Sequence, residues 1–386
     1  MTVEFPGIAA AQDGPATATA PSLSVIVPVY NGAGVLPACL AALMASGYRR
    51  DAWELIVVDD GSTDDSAAIA AGYADVVVRL PDRPRGPAYA RNRGSEISAG
   101  EVLLFVDADV CVHPDVLERM AGLFAADPAL SAAFGSYDAN PAASGAVSQF
   151  RNLLHHHVHQ MNPGEAETFW SGCGAVRHSA LDDVQMFDEW HYSRPEIEDI
   201  DFGRRLRSRG HRIVLRPEIQ CTHLRRWSLR GMLKVDFGCR GVPWMRILLQ
   251  ERILAEFHTL NTSYRERLCV MLALLAPITA LAAVGLRSAA LGWSTVAMVT
   301  LLFALNARFY AFLFRHRGIG LMLAAFPLHW LYYVTAGIAA IFGLIVHVMV
   351  GEPSAAPEVE AQEAIGFVTW PPCPHRPEDH LWRRYT

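Results

Sequence analysis

The 386-residue sequence contains one lysine, Lys234, no GxxxxGK[ST] and no GxGxxG after an apolar strand. A P-loop needs that lysine and its glycines, and an ordinary dinucleotide fold needs its glycine turn, so both are excluded. The seven cysteines (Cys39, Cys111, Cys173, Cys221, Cys239, Cys269, Cys373) are scattered without a CxxC. That spacing argues against a zinc site or a disulfide framework and suits free thiols in a reducing compartment. The opening MTVEFPGIAAAQDGPATATAP has neither a basic n-region nor an apolar h-region, so it does not read as a signal peptide. Residues 1–21 are expected to form a flexible lead-in. No internal repeat is visible.

Apolar residues are in excess: 52% of the chain is hydrophobic and the mean hydropathy is +0.18. The excess sits in three runs, 269–286, 291–314 and 319–350, each at least 18 residues long with few charges. One buried core helix can mimic a membrane span, but three in succession point to a transmembrane region over 266–350. Arg265 and Arg267 precede the first run, and Arg315, His316 and Arg317 separate the second from the third. The positive-inside rule puts both clusters, and hence the N-terminal part of the chain, in the cytosol, with Arg287 dissenting. Three spans would leave the tail 351–386 outside.

The net charge of −6 hides an asymmetry. Residues 201–250 carry twelve Lys or Arg against Asp201, Glu218 and Asp236. A basic stretch abutting the bilayer fits an anionic lipid surface or phosphates held there, and fits nucleic acid poorly; the plain alternative is a solvated face. Residues 228–265 mix Leu, Met, Trp and Phe with arginines, a composition that suits interfacial amphipathic helices.

Before that stretch, the pattern alternates as a parallel sheet with crossover helices requires. Strands are expected at 23–29, 55–58, 76–79, 102–106 and 132–134. Helices are expected at 34–46, 64–72 and 87–98, and a further one with Pro114 in its first turn. Such sheets bind ligands beyond the carboxyl ends of their strands. Tyr30-Asn31, Asp59-Asp60-Gly61-Ser62 and the pair Asp107/Asp109 all fall there. Asp107 and Asp109 alternate to one face of the extended chain, roughly 6.6 Å apart. Two unit charges at that distance repel by about 2.5 kcal/mol at an effective dielectric near 20, which a bound cation would offset. Alone the pair reads equally as a solvated turn; its company makes it a site.

The segments SVIVPVYN (24–31), VVDDGSTDDS (57–66), RGPAYARNRG (85–94), FVDADV (105–110) and IEDIDFGRRLRSRG (197–210) resemble, in order, the motifs of the family-2 glycosyltransferases. These are inverting enzymes of the GT-A fold that use nucleotide sugars, and the resemblance covers about 22–227. It implies an α/β, GT-A (Rossmann-like), mostly parallel sheet flanked by helices, followed here by interfacial helices and about three transmembrane helices. It further implies that Pro28, Tyr30, Asp59 and Asp60 line the nucleotide base and ribose. Arg91, with Arg85 beside it, would lie near the nucleotide. Asp109 would bind a divalent cation (Mg or Mn), and Asp107 would hold the ribose or share the metal. Asp199 matches the family's catalytic base, with Glu198 positioning sugar or acceptor; both also complement the dipole of a helix N-terminus.

FWSGCGAVRHSAL (169–181) resembles the segment lining the donor-sugar and acceptor pocket. There Gly172 and Gly174 permit close backbone approach, and Trp170 offers a sugar an apolar face or is core. HLRRW (223–227) stands where processive synthases carry QxxRW. His223 would contribute to the acceptor side, or instead approach the metal or diphosphate. Trp227 would stack on the acceptor or anchor at the membrane interface. HHHVH (155–159) places His155 and His159 on one helix face. The resemblance gives no metal there, and polar helix surface near the acceptor entrance is the expectation.

These readings together describe an integral protein of a bacterial inner (plasma) membrane with its catalytic domain in the cytosol. Its partners would be a nucleotide-sugar donor, a lipid-linked or glycan acceptor and membrane lipids, with no nucleic acid. A processive polysaccharide synthase and a non-catalytic nucleotide-sugar-binding membrane protein are the alternatives.

Overall fold

A computed structural model describes residues 21–80, 83–250 and 263–351. Residues 1–20 of the expected lead-in, part of the amphipathic stretch (251–262) and the tail from 352 lie outside the described residues. The elements run β1 (Leu23–Val29), α1 (Leu36–Met44), β2 (Trp53–Asp59), α2 (Ser66–Ala71), β3 (Val76–Arg79), α3 (Pro87–Glu96), β4 (Val102–Val106), β5 (Val110–Val112), α4 (Val116–Ala126), β6 (Leu130–Tyr137) and α5 (Ala146–Gln160). They continue with β7 (Gly164–Glu165), β8 (Cys173–Arg177), α6 (His178–Asp183), α7 (Glu198–Ser208), β9 (Arg212–His223), α8 (Leu229–Lys234), a π-helical turn (Val235–Gly241) and α9 (Val242–Gln250). The last helices are α10 (Tyr264–Gly285), α11 (Ala289–Leu305) and α12 (Ala307–Val350).

The strands form one sheet in the order β3-β2-β1-β4-β8-β6-β9-β5, with β7 paired to β9. The first four strands are mutually parallel, as their uninterrupted apolar runs require. Beyond β4 the sheet becomes mixed: β8 is antiparallel to β4 and β6, and β6 is parallel to β9. Alternation divides the core between the two faces. Val25, Val27, Val57 and Leu104 meet α1, α2 and α4 on one side. Ile26, Ile56, Leu103 and Phe105 meet α3, α6 and α7 on the other. All five side chains of β4 are buried, each contributing about 1.5–3 kcal/mol. That outweighs the roughly 2.5 kcal/mol repulsion of the aspartates it delivers at its end.

The helical half departs from the expected spans. The first run is α10, displaced slightly toward its N-terminus. The second, expected over 291–314, ends as α11 at Leu305. There buried Asn306 turns its amide to the Leu302 carbonyl and the Cys269 thiol, while its oxygen accepts from the Tyr333 hydroxyl at 2.9 Å. Residues 307–317 then form a separate helical segment, broken from 319–350 at Gly318, whose φ is +79°. Apolar content alone cannot show a break made by one asparagine and one glycine. Among the described residues, two helices, α10 and α12, are long and apolar enough to cross a membrane by length and composition; α11, with 17 residues, is shorter than the ~20 a span needs.

The segment from 307 to 328 does not stand apart from the sheet-bearing half. Phe309, Tyr310, Leu313 and Ala325 form one buried cluster with Phe150, Leu153 and Leu154 of α5 and with Trp227 and Met232. At the break, Arg317 donates to the Ala139 carbonyl at 2.7 Å and to Gln149 at 3.1 Å. Further along, a Cβ at Gly241 would sit 2.5 Å from that of Ala339, and one at Gly343 would sit 2.8 Å from that of Met245. The π-helical turn and α9 therefore press directly on α12.

Candidate functional site

The polar residues gather at the carboxyl ends of β1, β2 and β4, where the sheet changes from parallel to mixed. Tyr30 extends beyond β1 and is 48% exposed; Pro28 lies partly exposed within β1, in register with Val58. Asp59 and Asp60 end β2 but are buried. One oxygen of Asp59 accepts from the Ser62 amide at 3.0 Å, and Arg79 lies 3.7 Å from the other. Asp60 accepts from the amides of Arg85 and Gly86 at 3.0 and 2.7 Å, tying that loop to the strand end. Burial raises its carboxyl to about 6 against the lowering effect of those amides. The Arg85 guanidinium lies over the Tyr89 ring at 4.8 Å.

Arg91, on α3 and buried, is the link between two motifs far apart in sequence. Its guanidinium donates to Asp107 at 2.8 Å and to Glu198 at 2.9 Å. Glu198 is the first residue of α7, and its second oxygen accepts from the Glu196 amide. The DAD motif and the EDID motif are thus fastened together by one buried cation. Burial pushes the Asp107 carboxyl up, opposed by Arg91.

Asp109 has other partners; β4 ends at Val106, so the strand alternation expected to put both aspartates on one face does not extend to them. The short strand β5 that follows it pairs with the end of β9, Val110 opposite His223. His223 Nε2 is 3.4 Å from Asp109 Oδ2, and the Leu224 amide donates to the Asp109 carbonyl. The His223 ring is stacked on Tyr137 at 4.4 Å and 8°. Its Nδ1 is 2.6 Å from Asn152 Oδ1 on α5. Burial pushes the Asp109 carboxyl up, and the hydrogen bond and charge of His223 more than offset it, leaving it below the usual range.

Asp199, second residue of α7, has one oxygen 3.3 Å from the Ser171 amide and 3.5 Å from its hydroxyl. Burial foremost, then the charge of Glu198, raises its carboxyl to about 7 despite Arg91. A carboxylate near neutrality on a fixed helix end has the proton affinity a general base needs.

The remaining expected residues fall around this centre. Gly172 accepts the Asp107 amide through its carbonyl, and a Cβ there would lie 2.5 Å from the Trp170 ring. The space this glycine leaves is taken by Trp170 itself. That ring is half-buried among Tyr137, His155 and His159, at 4.8, 4.8 and 5.6 Å. His155 and His159 pack with their rings 4.0 Å apart and tilted by 43°, and burial lowers both, His159 to about 4. They belong to an aromatic wall, and His156 and His157 turn toward Phe312 on α12. Trp227 is 8% exposed and sits inside the seam with α5 and α12, with the Arg225 guanidinium over its ring at 4.3 Å.

Sequence reasoning does not single out Ser171, Tyr137 or Asn152. A signal exists for the last, because Asn152, His155 and His159 recur at i, i+3 and i+7 and so share one face of the helix.

Among the described residues, no group of three or more His, Cys, Asp or Glu has metal-holding geometry. Asp109 and His223 are two. A magnesium- or manganese-type ion is bound by one or two carboxylates with substrate phosphates completing the shell, so Asp109 supplies the ligand type that suits it and His223 a neighbouring nitrogen.

A parallel-to-mixed α/β sheet with its polar cluster at the switch, DAD beside EDID, defines a GT-A glycosyltransferase fold. Residues 24–185 match the family model described as Glycosyl transferase family 2, and this stretch of the chain is a family-2 glycosyltransferase domain. A glycosyltransferase of Haloferax volcanii, AglE, is 39% identical over 107 residues, covering 27% of this chain and 35% of that one. The uncharacterized glycosyltransferase YibD of Escherichia coli is 41% identical over 101 residues, covering 25% and 29%. The chain thus spans about a third of the length of these curated relatives. Among solved structures, the mannosyltransferase PcManGT from Pyrobaculum calidifontis, in complex with GDP-Man and Mn2+, aligns with a TM-score of 0.50 at 17% identity. The alignment covers 88% of this chain and 90% of that one.

Proposed function

We propose that this protein is a membrane-anchored inverting glycosyltransferase that moves a sugar from a nucleotide-sugar donor to a lipid-linked or glycan acceptor at the cytosolic membrane face. The observation that carries the reading is the Arg91 bridge. It sets Asp199, raised to about 7, beside the carboxylates at the end of β4. The acceptor hydroxyl gives its proton to Asp199 as its oxygen attacks the anomeric carbon. The bond to the nucleoside diphosphate breaks on the opposite face, its electron pair leaves with the diphosphate, and the configuration inverts.

Asp109 and His223 would hold the divalent cation, which when bound neutralises charge on the leaving diphosphate. Tyr30 and the β2–α3 side would receive the nucleotide, as the family resemblance implies. Trp170, with Tyr137 and His155 behind it, would form the apolar face for sugar or acceptor. Membrane anchoring is supported by the apolar surface of α10 and α12, where Leu281, Val284, Val348 and Met349 are at least three-quarters exposed or close to it. It is also supported by the docking of α9 and the π-helical turn on α12. GDP-Man belongs to the fold neighbour alone; the donor here is to be found by experiment.

That experiment is a screen of nucleotide sugars against membrane lipid extract, with mass spectrometry and anomeric NMR of the product. A new glycolipid of inverted configuration is expected. A retained configuration would overturn the one-step mechanism, and soluble glycan products alone would overturn the lipid acceptor.

A further inference from the structure

We infer that Asn152 is a positioning residue that makes His223 a metal ligand; this rests on the metal reading of the preceding subsection. Asn152 is 2% exposed and His223 6%, so neither side chain exchanges partners with bulk water. Asn152 points Oδ1 at His223 Nδ1 at 2.6 Å, with its own Nδ2 buried without a partner among the described residues; in this orientation the oxygen only accepts, so Nδ1 carries the proton. In the neutral ring Nε2 then presents a lone pair toward Asp109 Oδ2, another lone-pair atom 3.4 Å away. Two acceptors at that distance in a buried site repel unless a proton or a cation lies between them. The Tyr137 ring, stacked at 8°, keeps the imidazole from turning aside. The chain Asn152–His223–Asp109 therefore has the form of an oriented metal ligand, in which an outer oxygen fixes the imidazole tautomer and raises its basicity.

Three separate elements build this arrangement. Asn152 comes from α5, His223 from the last residue of β9, and Asp109 from the turn after β4. The β5–β9 pairing brings the latter two together, and α5 supplies the third from the layer that also packs on α12.

The test measures Mn2+ affinity of the detergent-solubilised full chain by water-proton relaxation, with Mn2+ alone as the probe. Asn152→Leu removes the acceptor and should weaken binding by about 10–100-fold. Asn152→Asp keeps an acceptor and should stay within about threefold of the wild type. In a His223→Ala background, Asn152→Leu should cause no further loss, because Asn152 acts through the ring. Melting curves without metal report whether each variant folds. Wild-type affinity in folded Asn152→Leu, or equal losses in the Leu and Asp variants, would overturn the inference while leaving the metal reading intact. A wild type that binds no Mn2+ would overturn the metal reading itself, and this inference with it.

Discussion

One alanine separates Asp107 from Asp109, yet the two carboxylates face opposite surroundings. Asp107 meets a buried guanidinium that also holds Glu198. Asp109 meets an imidazole whose far nitrogen is held by an amide. The first is pushed up by burial, the second is brought below its usual range by His223. Arg91 carries a permanent positive charge that Asp107 shares with Glu198, so Asp107 already has a cation supplied by the protein. The imidazole carries no permanent charge, so the Asp109 side has room for a cation from solution. The same motif thus builds a fixed ion-pair hinge on one flank and, in the proposed function, the edge that would take the cation on the other.

Breaking the hinge should have the largest effect. Arg91→Met leaves buried Glu198 and partly exposed Asp107 without their cation, and should cost about 3–5 kcal/mol in chemical denaturation. Arg91→Lys keeps the charge but not the two-pronged geometry and should fall between. A methionine variant as stable as the wild type would show that the two motifs do not depend on the bridge.

Breaking the open edge should spare the fold and remove function. Asp109→Ala should lower transfer by on the order of 10²–10³ while melting near the wild type. Excess chelator should do the same to the wild type, and added Mn2+ should reverse it. Full turnover in chelator would mean that transfer needs no cation.

Asp199 gives a finer contrast, through stability against pH. Its carboxyl is raised to about 7, so the folded state favours the protonated form. Ionisation costs stability, increasingly as pH rises from the ordinary carboxylate range through about 7. Asp199→Asn should therefore melt a few degrees above the wild type at pH 8 and beside it at pH 4. The opposite order would mean that Asp199 is stabilised as the anion.

The smallest expected effect is at the seam with α12. Arg317→Ala removes exposed hydrogen bonds to Ala139 and Gln149 and should cost about 1 kcal/mol. Hydrogen exchange over 138–145 should quicken. Unchanged exchange would assign the seam to the Trp227–Phe309 cluster alone.

Much of the first flank is legible in the sequence alone. The strand that becomes β4 is five apolar residues ending in DAD, and no other element suits that pattern. The parallel strands β1 to β4 follow from runs that need both faces covered. What pattern cannot show is pairing at long range. Arg91 and Glu198 are 107 residues apart, and Asn152 and His223 are 71 apart. The three-residue strand β5, which places His223 beside Asp109, is too short to leave a periodic signal. Trp227 reads in sequence as facing an acceptor or a membrane, because nothing near it hints at the α5–α12 seam that encloses it. The apolar run 291–314 hides a boundary at Asn306, since hydropathy sums over the residue that makes the break.

The most direct test is the pH–rate profile of glycosyl transfer for the wild type and Asp199→Asn, with donor binding measured alongside. With Asp199 as the base, the wild-type rate should rise with pH to a plateau, with a midpoint near its raised pKa of about 7. Asp199→Asn should bind donor normally and transfer about 10²–10⁴ times more slowly, without that rise. An asparagine variant that turns over at the wild-type rate with the same profile would contradict the assignment of Asp199 as the base.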